Sequence, residues 1–89
     1  MTTRLEITCS NKGPRDGAHF RVEGIGGRGW KHTEEEAIRY IDEGVHSYYI
    51  KRKGLVVDVI VAELPGYKYI KTMLDGNRPE NLLRLPDCI

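Results

Sequence analysis

Alternation of apolar and polar residues predicts the first strands of the chain. Residues 4–9 and 18–23 each place an apolar side chain at every second position, the pattern of a strand with one buried face. Residues 11–17 between them are rich in Asn, Gly, Pro and Asp, which favour turns, so we predict an antiparallel hairpin with a long loop. Residues 24–29 interrupt the alternation and predict a flexible loop. Residues 30–32 are either a short strand or an extended lead-in to the next element.

One amphipathic helix is predicted next, over about residues 34–43. Thr33 and Glu36 have the spacing of a capping box, in which each side chain bonds the backbone N–H of the other residue. Apolar residues then recur at helical spacing, at positions 37, 38 and 41, and form one stripe. Gly44 suits the position just after a helix, where the backbone often turns left-handed.

Three further strands are predicted, at residues 46–52, 55–63 and 67–72. The second of them has apolar residues on both faces, which indicates a central strand covered on both sides for part of its length. The end of the chain, residues 82–89, contains three leucines and an isoleucine, so we expect it to dock on the domain. The predicted order is β-β-α-β-β-β: one α+β domain spanning residues 1–89, with a mostly antiparallel sheet, the helix on one face and a docked C-terminal tail.

Composition limits the function more than it identifies it. The 89 residues include 14 Lys and Arg against 13 Asp and Glu, a formal net charge of +1, and 39% hydrophobic residues. These values exclude a multidomain enzyme and a strongly cationic nucleic-acid binder. The chain has no apolar run long enough to span a membrane and no apolar leader, so we expect no membrane association and a cytoplasmic location.

The net charge divides unevenly along the chain. Residues 32–43, which contain the predicted helix, hold one basic and five acidic groups, a net charge of −4. Residues 1–31 carry +3 and residues 44–89 carry +2. If the fold separates these segments, the helix presents an acidic face and the opposite side of the domain is mildly basic.

No pattern in the sequence supports a metal, a cofactor or catalysis. Gly24–Gly29 matches G-x-G-x-x-G, but residues 30–32 separate it from the helix that a dinucleotide site needs. The possible metal ligands have no ligand spacing, and His19 and His32 are predicted to lie in loops or to face solvent (the full set is His19, His32, His46, Cys9 and Cys88). Ser10 and Ser47 lack the context of a nucleophile. We expect both cysteines to be reduced thiols, because a secreted disulfide scaffold of this size has four or more, and the alternative is a Cys9–Cys88 disulfide that closes a long loop.

The tail carries the most specific signal. The chain contains Glu35-Glu36-Ala37-Ile38 followed by Gly44, then Tyr69-Ile70-Lys71-Thr72, Asp75-Gly76 and Asn81-Leu82-Leu83-Arg84-Leu85-Pro86-Asp87-Cys88. With these motifs it resembles the prokaryotic family known as domain of unknown function 3892, over most of its length. The family has no established activity, so the resemblance implies a fold unit and no catalytic residues. From their chemistry, Asp75 and Asn81 form either a clamp for the tail or one side of a small-ligand pocket.

Aromatic residues beside cations suggest a second candidate surface. Its residues are Trp30, Lys31, Tyr49, Lys51, Tyr67, Tyr69 and Lys71. On neighbouring antiparallel strands, the tyrosines and lysines of the last strands can share one outer face, because alternate residues line one side of a sheet. Stacking rings beside cations are typical of single-stranded nucleic-acid binding, which the low net charge would keep weak.

The sequence therefore leaves the function open. We expect a small non-catalytic binding module, with a protein partner or a homodimer formed by pairing of edge strands. Weak nucleic-acid binding through the aromatic and basic face is the first alternative. A small-ligand pocket near Asp75 and Asn81 is the second.

Overall fold

The computed structural model describes residues 2–12, 22–76 and 80–88, and for Leu64 and Glu80 the backbone alone. Seven strands and two helices occur in these ranges. They are β1 (Thr3–Glu6), β2 (Cys9–Lys12), β3 (Val22–Gly27), β4 (Trp30–Thr33), α1 (Glu34–Asp42), β5 (His46–Arg52), β6 (Leu55–Leu64), β7 (Tyr67–Thr72) and α2 (Glu80–Leu83). Most of the predicted turn and strand at residues 13–21, including His19, lies outside the described residues. The fold is α+β, as predicted.

The strands form two sheets. The larger sheet has the order β1-β5-β6-β7, and the smaller has the order β2-β3-β4. Every described pairing is antiparallel except that of β1 with β5, which is parallel. The prediction that the second strand after α1 is central is confirmed, since β6 lies between β5 and β7.

Helix α1 confirms the sequence prediction in detail. Thr33 is the N-cap, its hydroxyl accepts from the backbone N–H of Glu36, and the Glu36 carboxylate accepts from the N–H of Thr33. Gly44 has a φ of +71°, the left-handed conformation that commonly ends a helix. Ala37 is fully buried, and Ile38 and Ile41 pack against the core, so the helix covers one face of the larger sheet.

A single hydrophobic core joins the two sheets, α1 and the tail. Its buried members are Ile7, Val22, Ile25, Ala37, Tyr48, Ile50, Val57, Val59, Ile70 and Leu82. Tyr48 and Ile50 of β5 therefore point inward, and Tyr49 between them points to the opposite face of the sheet. Leu82 of α2 has no exposed surface, which confirms that the tail is docked.

The predicted first strand, residues 4–9, is wrong in one respect, because the chain changes sheets within it. The N–H of Ile7 donates to Tyr49 O in the larger sheet, and the N–H of the next residue, Thr8, donates to Gly26 O in the smaller sheet. Successive N–H groups of an extended chain point in opposite directions, so one continuous run serves two sheets. The pattern of side chains continues across the change and gives no sign of it.

The predicted glycine-rich loop over residues 24–29 is wrong for residues 24–27, which belong to β3, the central strand of the smaller sheet, and only residues 28 and 29 form a turn. Its glycines allow close approach of other groups. A Cβ at Gly27 would collide with the backbone oxygen of Glu6 and with the Trp30 ring, and one at Gly26 would lie 2.8 Å from Cys9 Sγ. Residues 30–32, the possible short strand, are part of β4.

Candidate functional site

Five of the predicted surface residues lie on one face of the larger sheet. The register pairs Tyr49 of β5 with Asp58 of β6, and Ala62 of β6 with Tyr69 of β7. Because directly paired residues point to the same side, the strands share a surface opposite α1, which we call the outer face. Its members are Arg4, Glu6, Ser47, Tyr49, Lys51, Val56, Asp58, Ile60, Ala62, Tyr67, Tyr69 and Lys71. No helix or strand in residues 2–12, 22–76 or 80–88 packs across it.

Trp30 and Lys31 lie away from the outer face. The Trp30 ring packs 5.6 Å from the ring of Tyr48, which points into the core, and Lys31 is exposed on β4 of the smaller sheet. The predicted surface therefore divides into the sheet face and a separate position at β4. Of these two places, only the outer face brings several of the predicted binding residues together.

The three tyrosines of the outer face offer little open ring surface. Tyr69 is only 7% exposed, and its ring lies 6.0 Å from that of Tyr67. The guanidinium of Arg4 lies 4.8 Å from the centroid of the half-buried Tyr49 ring. A nucleobase that stacks on this face would have to displace Arg4 or expose Tyr69.

Two of the three cations on the outer face are already paired. Arg4 forms an ion pair of 2.8 Å with Asp58. The ammonium group of Lys71 donates to the backbone oxygens of Asp75 and Gly76, at 3.1 and 3.0 Å. Lys51 is exposed and has no ion pair or hydrogen bond with another described residue. The face thus presents few cations to a phosphate backbone.

An exposed apolar end of the outer face was missed by the sequence analysis. Val56 is 53% exposed, and Met73, just after β7, is 62% exposed. The N–H of Met73 donates to Asp58 O, which continues the register of β7 and places Met73 on the outer face beside Val56. Leu55 and Leu74, also well exposed, lie at the same end of the sheet. An adjoining open groove of about 540 Å³ is lined by Arg4, Tyr49, Lys51, Val56 and Asp58.

Asp75 and Asn81 are brought together by the fold, and they bond each other. The Asp75 carboxylate accepts from the N–H of Thr72 at 2.9 Å, from the N–H of Asn81 at 3.2 Å and from the Asn81 amide at 2.8 Å. The Asn81 amide also donates to the Thr72 hydroxyl, and its oxygen accepts from Arg52. Both residues are more than 90% buried. Their bonding capacity is used to hold α2 against β7, the geometry of the tail clamp rather than of a ligand pocket.

A cluster of aromatic and histidine rings lies between β4, α1 and the start of β5, and the sequence analysis did not find it. His32 accepts or donates a hydrogen bond of 2.8 Å with the Tyr48 hydroxyl, and its ring stacks on His46 at 5.5 Å. His32 was predicted to face solvent or lie in a loop, but it is half-buried in β4 because the Trp30 and Tyr48 rings pack against it. Tyr40 closes the cluster from α1.

Burial alters the acid–base behaviour of this cluster. Burial and the neighbouring His46 lower the pKa of His32, and Glu36 opposes this effect only in part. Burial also raises the pKa of the Tyr48 hydroxyl well above its ordinary value. The buried Nδ1 atom of His46 has no hydrogen-bond partner in the described part of the chain. Burial therefore favours the uncharged forms of His32 and Tyr48.

The prediction of two reduced cysteines is wrong, because Cys9 and Cys88 form a disulfide. The chain ends are brought together where the tail runs along β2, with Ser10 N donating to Pro86 O at 2.9 Å. The sequence could not decide whether this bond forms, since 79 positions separate the two residues. Their positions in strand β2 and in the docked tail decide it.

The two serines and the possible metal ligands considered from the sequence do not form a catalytic or metal site among the described residues. The hydroxyl of Ser10 is buried and donates to Leu82 O, so it holds the tail. Ser47 lies on the outer face, opposite to the side chain of His46. Within residues 2–12, 22–76 and 80–88, no group of three or more His, Cys, Asp or Glu side chains could hold a metal ion.

Comparison with known proteins supports the family resemblance that the tail motifs indicated. The family model described as a protein of unknown function, DUF3892, matches residues 6–86. The chain belongs to the DUF3892 family. The match includes α1, the smaller sheet, the larger sheet except most of β1, and the tail up to Pro86, so the clamp and most of the outer face are parts of the DUF3892 unit. Neither the curated proteins nor the solved structures contain a match to this chain. None of the described helices is long and apolar enough to cross a membrane.

Proposed function

We propose that this DUF3892 chain is a non-catalytic protein-binding module and that the outer face of its larger sheet is the binding surface. The observation that carries the proposal is the pairing register, which aligns apolar and aromatic side chains of three strands on one face, together with the exposure of that face at Val56 and Met73. Sheets normally bury such a face against another layer. A partner protein would supply that layer.

The chemistry of the face favours a protein over a nucleic acid. Val56 and Met73 expose apolar surface, and the paired charges of Arg4 and Asp58 lie beside them. A mixture of apolar surface and balanced charge is typical of protein interfaces, whereas phosphate backbones attract several unpaired cations. Weak nucleic-acid binding stays the second candidate, because Tyr49, Lys51, Tyr67, Tyr69 and Lys71 share this face as that function requires.

Homodimer formation by edge pairing has less support. On β7, the outward N–H groups of Ile70 and Thr72 donate to the carboxylates of Glu34 and Asp75. On β2, the N–H of Ser10 is bonded to the tail. On β1, the oxygen of Glu6 lies against Gly27. These contacts occupy part of three of the four sheet edges, so a second copy would have to displace them.

The proposed binding surface can be tested with a lysine scan at two exposed valines. Val56→Lys places a cation in the apolar end of the outer face, and Val45→Lys adds the same charge at an exposed valine just before β5, at the opposite end of that strand from the pairing of Lys51 with Val56. Immobilised wild-type chain and both variants are used to capture proteins from an extract of the source cells. We expect one set of proteins to be retained by the wild type and by Val45→Lys, and lost with Val56→Lys.

The same variants separate the two candidate functions. Binding of fluorescent single-stranded RNA and DNA is measured at low salt by anisotropy. A nucleic-acid site would bind more tightly after Val56→Lys, because each added cation strengthens contact with phosphates. A protein site would lose its partner and show no salt-dependent nucleic-acid binding. Equal capture by both variants would reject the outer face as the binding surface.

The cellular location is part of the proposal and depends on the cysteines. A cytoplasmic protein was expected from the sequence, and the cytoplasm keeps most thiols reduced. The disulfide between Cys9 and Cys88 fits that location only if the bond forms and breaks reversibly. Acid quenching of source cells, followed by alkylation of free thiols and mass spectrometry, measures the oxidised fraction. A fully oxidised population would place the protein in an oxidising compartment instead.

A further inference from the structure

The disulfide lies beside an open cleft at the surface. The cleft has a volume of about 260 Å³ and is lined by Cys9, Gly27, Trp30, Lys31, Asp87 and Cys88. Both cysteines are half-buried rather than enclosed in the core. A small molecule can therefore approach the sulfur atoms from solvent without unfolding the domain.

Strand β3 leaves room for the two sulfur atoms. A Cβ atom at Gly26 would lie 2.8 Å from Cys9 Sγ, closer than real contacts allow, and 3.0 Å from Cys88 Sγ, which is a very tight contact. Any larger residue at this position would push the disulfide away from the strand. The absence of a side chain at Gly26 thus keeps the bond against the sheet.

The disulfide holds a segment that few other contacts secure. Residues 84–88 are fixed by Leu85, which packs against the core and donates its N–H to Leu82 O, by the hydrogen bond from Ser10 N to Pro86 O, and by Lys12, whose ammonium group contacts Leu85 O and the Asp87 carboxylate. Asp87 is 81% exposed, so its ion pair contributes little. Leu82, in contrast, is fully buried. Breaking the disulfide would leave α2 docked and residues 84–88 weakly held.

We propose that Cys9 and Cys88 form a reversible thiol–disulfide exchange site for low-molecular-weight thiols, and that its state decides whether residues 84–88 stay on β2. A thiolate attacks one of the two sulfurs, a mixed disulfide forms, and the other cysteine leaves as a thiolate that takes a proton. A second thiol attacks the mixed disulfide and releases the second cysteine. Two small thiols become one small disulfide, and the protein gains two electrons and two protons.

Two other residues line the same cleft. One can assist thiol exchange, and the other can report on the state of the disulfide. The ammonium group of Lys31 is placed to attract an approaching thiolate, the reactive form of a thiol. Trp30 is the only tryptophan of the chain and borders the same cleft. A disulfide close to an indole quenches its fluorescence, so emission from Trp30 reports the state of the bond.

The test is an equilibrium titration of the full chain with mixtures of reduced and oxidised glutathione. Thiol content is read by alkylation and mass spectrometry, and Trp30 emission is followed in the same samples. We expect both readouts to change together and reversibly as the proportion of reduced glutathione rises. A bond that stays oxidised in reduced glutathione alone, or that does not re-form in oxidised glutathione, overturns the proposal.

Limited trypsin digestion tests the effect on the tail. Arg84 is exposed and begins the segment that the bond holds. We expect faster cleavage after Arg84 in the reduced protein than in the oxidised protein, with loss of the peptide that follows. Cys88→Ser, which cannot form the bond, should be cleaved like the reduced wild type under both conditions. Equal cleavage of the oxidised and reduced wild type overturns the part of the proposal that concerns the tail.

Discussion

The guanidinium group of Arg4 covers the ring of Tyr49, with its central carbon 4.8 Å from the ring centroid. The same guanidinium donates to the Asp58 carboxylate, so one side chain bridges β1, β5 and β6 across the outer face. The arrangement fills the space where a stacked base would lie. It leaves the apolar end of the face, at Val56 and Met73, as its most accessible part.

Removing the Arg4 side chain should expose the ring of Tyr49 but reduce the unfolding free energy only slightly. Arg4→Ala deletes an exposed ion pair and a cation–π contact, each of which contributes about 1 kcal/mol or less in solvent-exposed positions. We expect the free energy of unfolding in urea to fall by no more than about 2 kcal/mol, the sum of those two contributions. Iodination or quenching of Tyr49 should increase, and a Tyr49 whose reactivity is unchanged would contradict the observed contact.

The tail clamp should be far more sensitive than exposed carboxylates. Asp75→Ala removes the acceptor of the N–H groups of Thr72 and Asn81 in a buried site, which costs about 1–3 kcal/mol for each unsatisfied group. We expect a loss of about 2–6 kcal/mol in unfolding free energy, measured with urea. The control is Asp87→Ala, whose exposed ion pair should contribute less than about 1 kcal/mol. Equal losses for the two variants would show that Asp75 is not a buried clamp.

The close approach at Gly27 predicts a strong effect of one methyl group. Gly27→Ala puts a Cβ against the Glu6 oxygen and the Trp30 ring, and overpacking of this kind costs about 1–3 kcal/mol. Gly76→Ala, where no atom lies within 4 Å of the added Cβ, serves as the control. Thermal unfolding should show a clear decrease for the first variant alone. Similar melting temperatures for both would contradict the packing of β3 against β1.

The histidine cluster predicts a loss of stability on acidification. The folded chain lowers the pKa of His32 below its ordinary value of 6.5, because burial and His46 disfavour the charged ring. The unfolded chain then binds the proton more readily, so this stability is complete above pH 6.5 and decreases as the pH falls through that value. NMR titration of His32 should give a pKa below 6.5, and His32→Gln should weaken the pH dependence of unfolding. A His32 pKa at or above 6.5 contradicts this interpretation.

The sequence correctly predicted the elements whose bounds depend on residues close together in the chain. The capping box at Thr33 and Glu36 determines where α1 begins, and alternation over residues 46–52 and 67–72 gives β5 and β7 with the observed bounds. The same alternation correctly placed Tyr49, Lys51 and Tyr69 on one face. Periodicity was sufficient because each of these elements stays within one sheet.

The parts that were missed depend on contacts between distant segments. The change of sheet at Ile7 and Thr8 leaves the side-chain pattern intact, so alternation cannot detect it. Glycines in β3 resemble a loop until Glu6, Trp30 and the two sulfurs are seen against them. The disulfide and the ring cluster of His32 and His46 likewise exist only once β2, β4, β5 and the tail are assembled.

The most direct test of the binding surface is an amide NMR map of the labelled chain with the protein that it captures. The account predicts that shift changes and line broadening concentrate on the outer face, at Tyr49, Val56, Ile60, Tyr67 and Met73. Val56→Lys should abolish these changes, and Val45→Lys should leave them intact. Changes concentrated on α1 or on β4, with the outer face unaffected, would contradict the account.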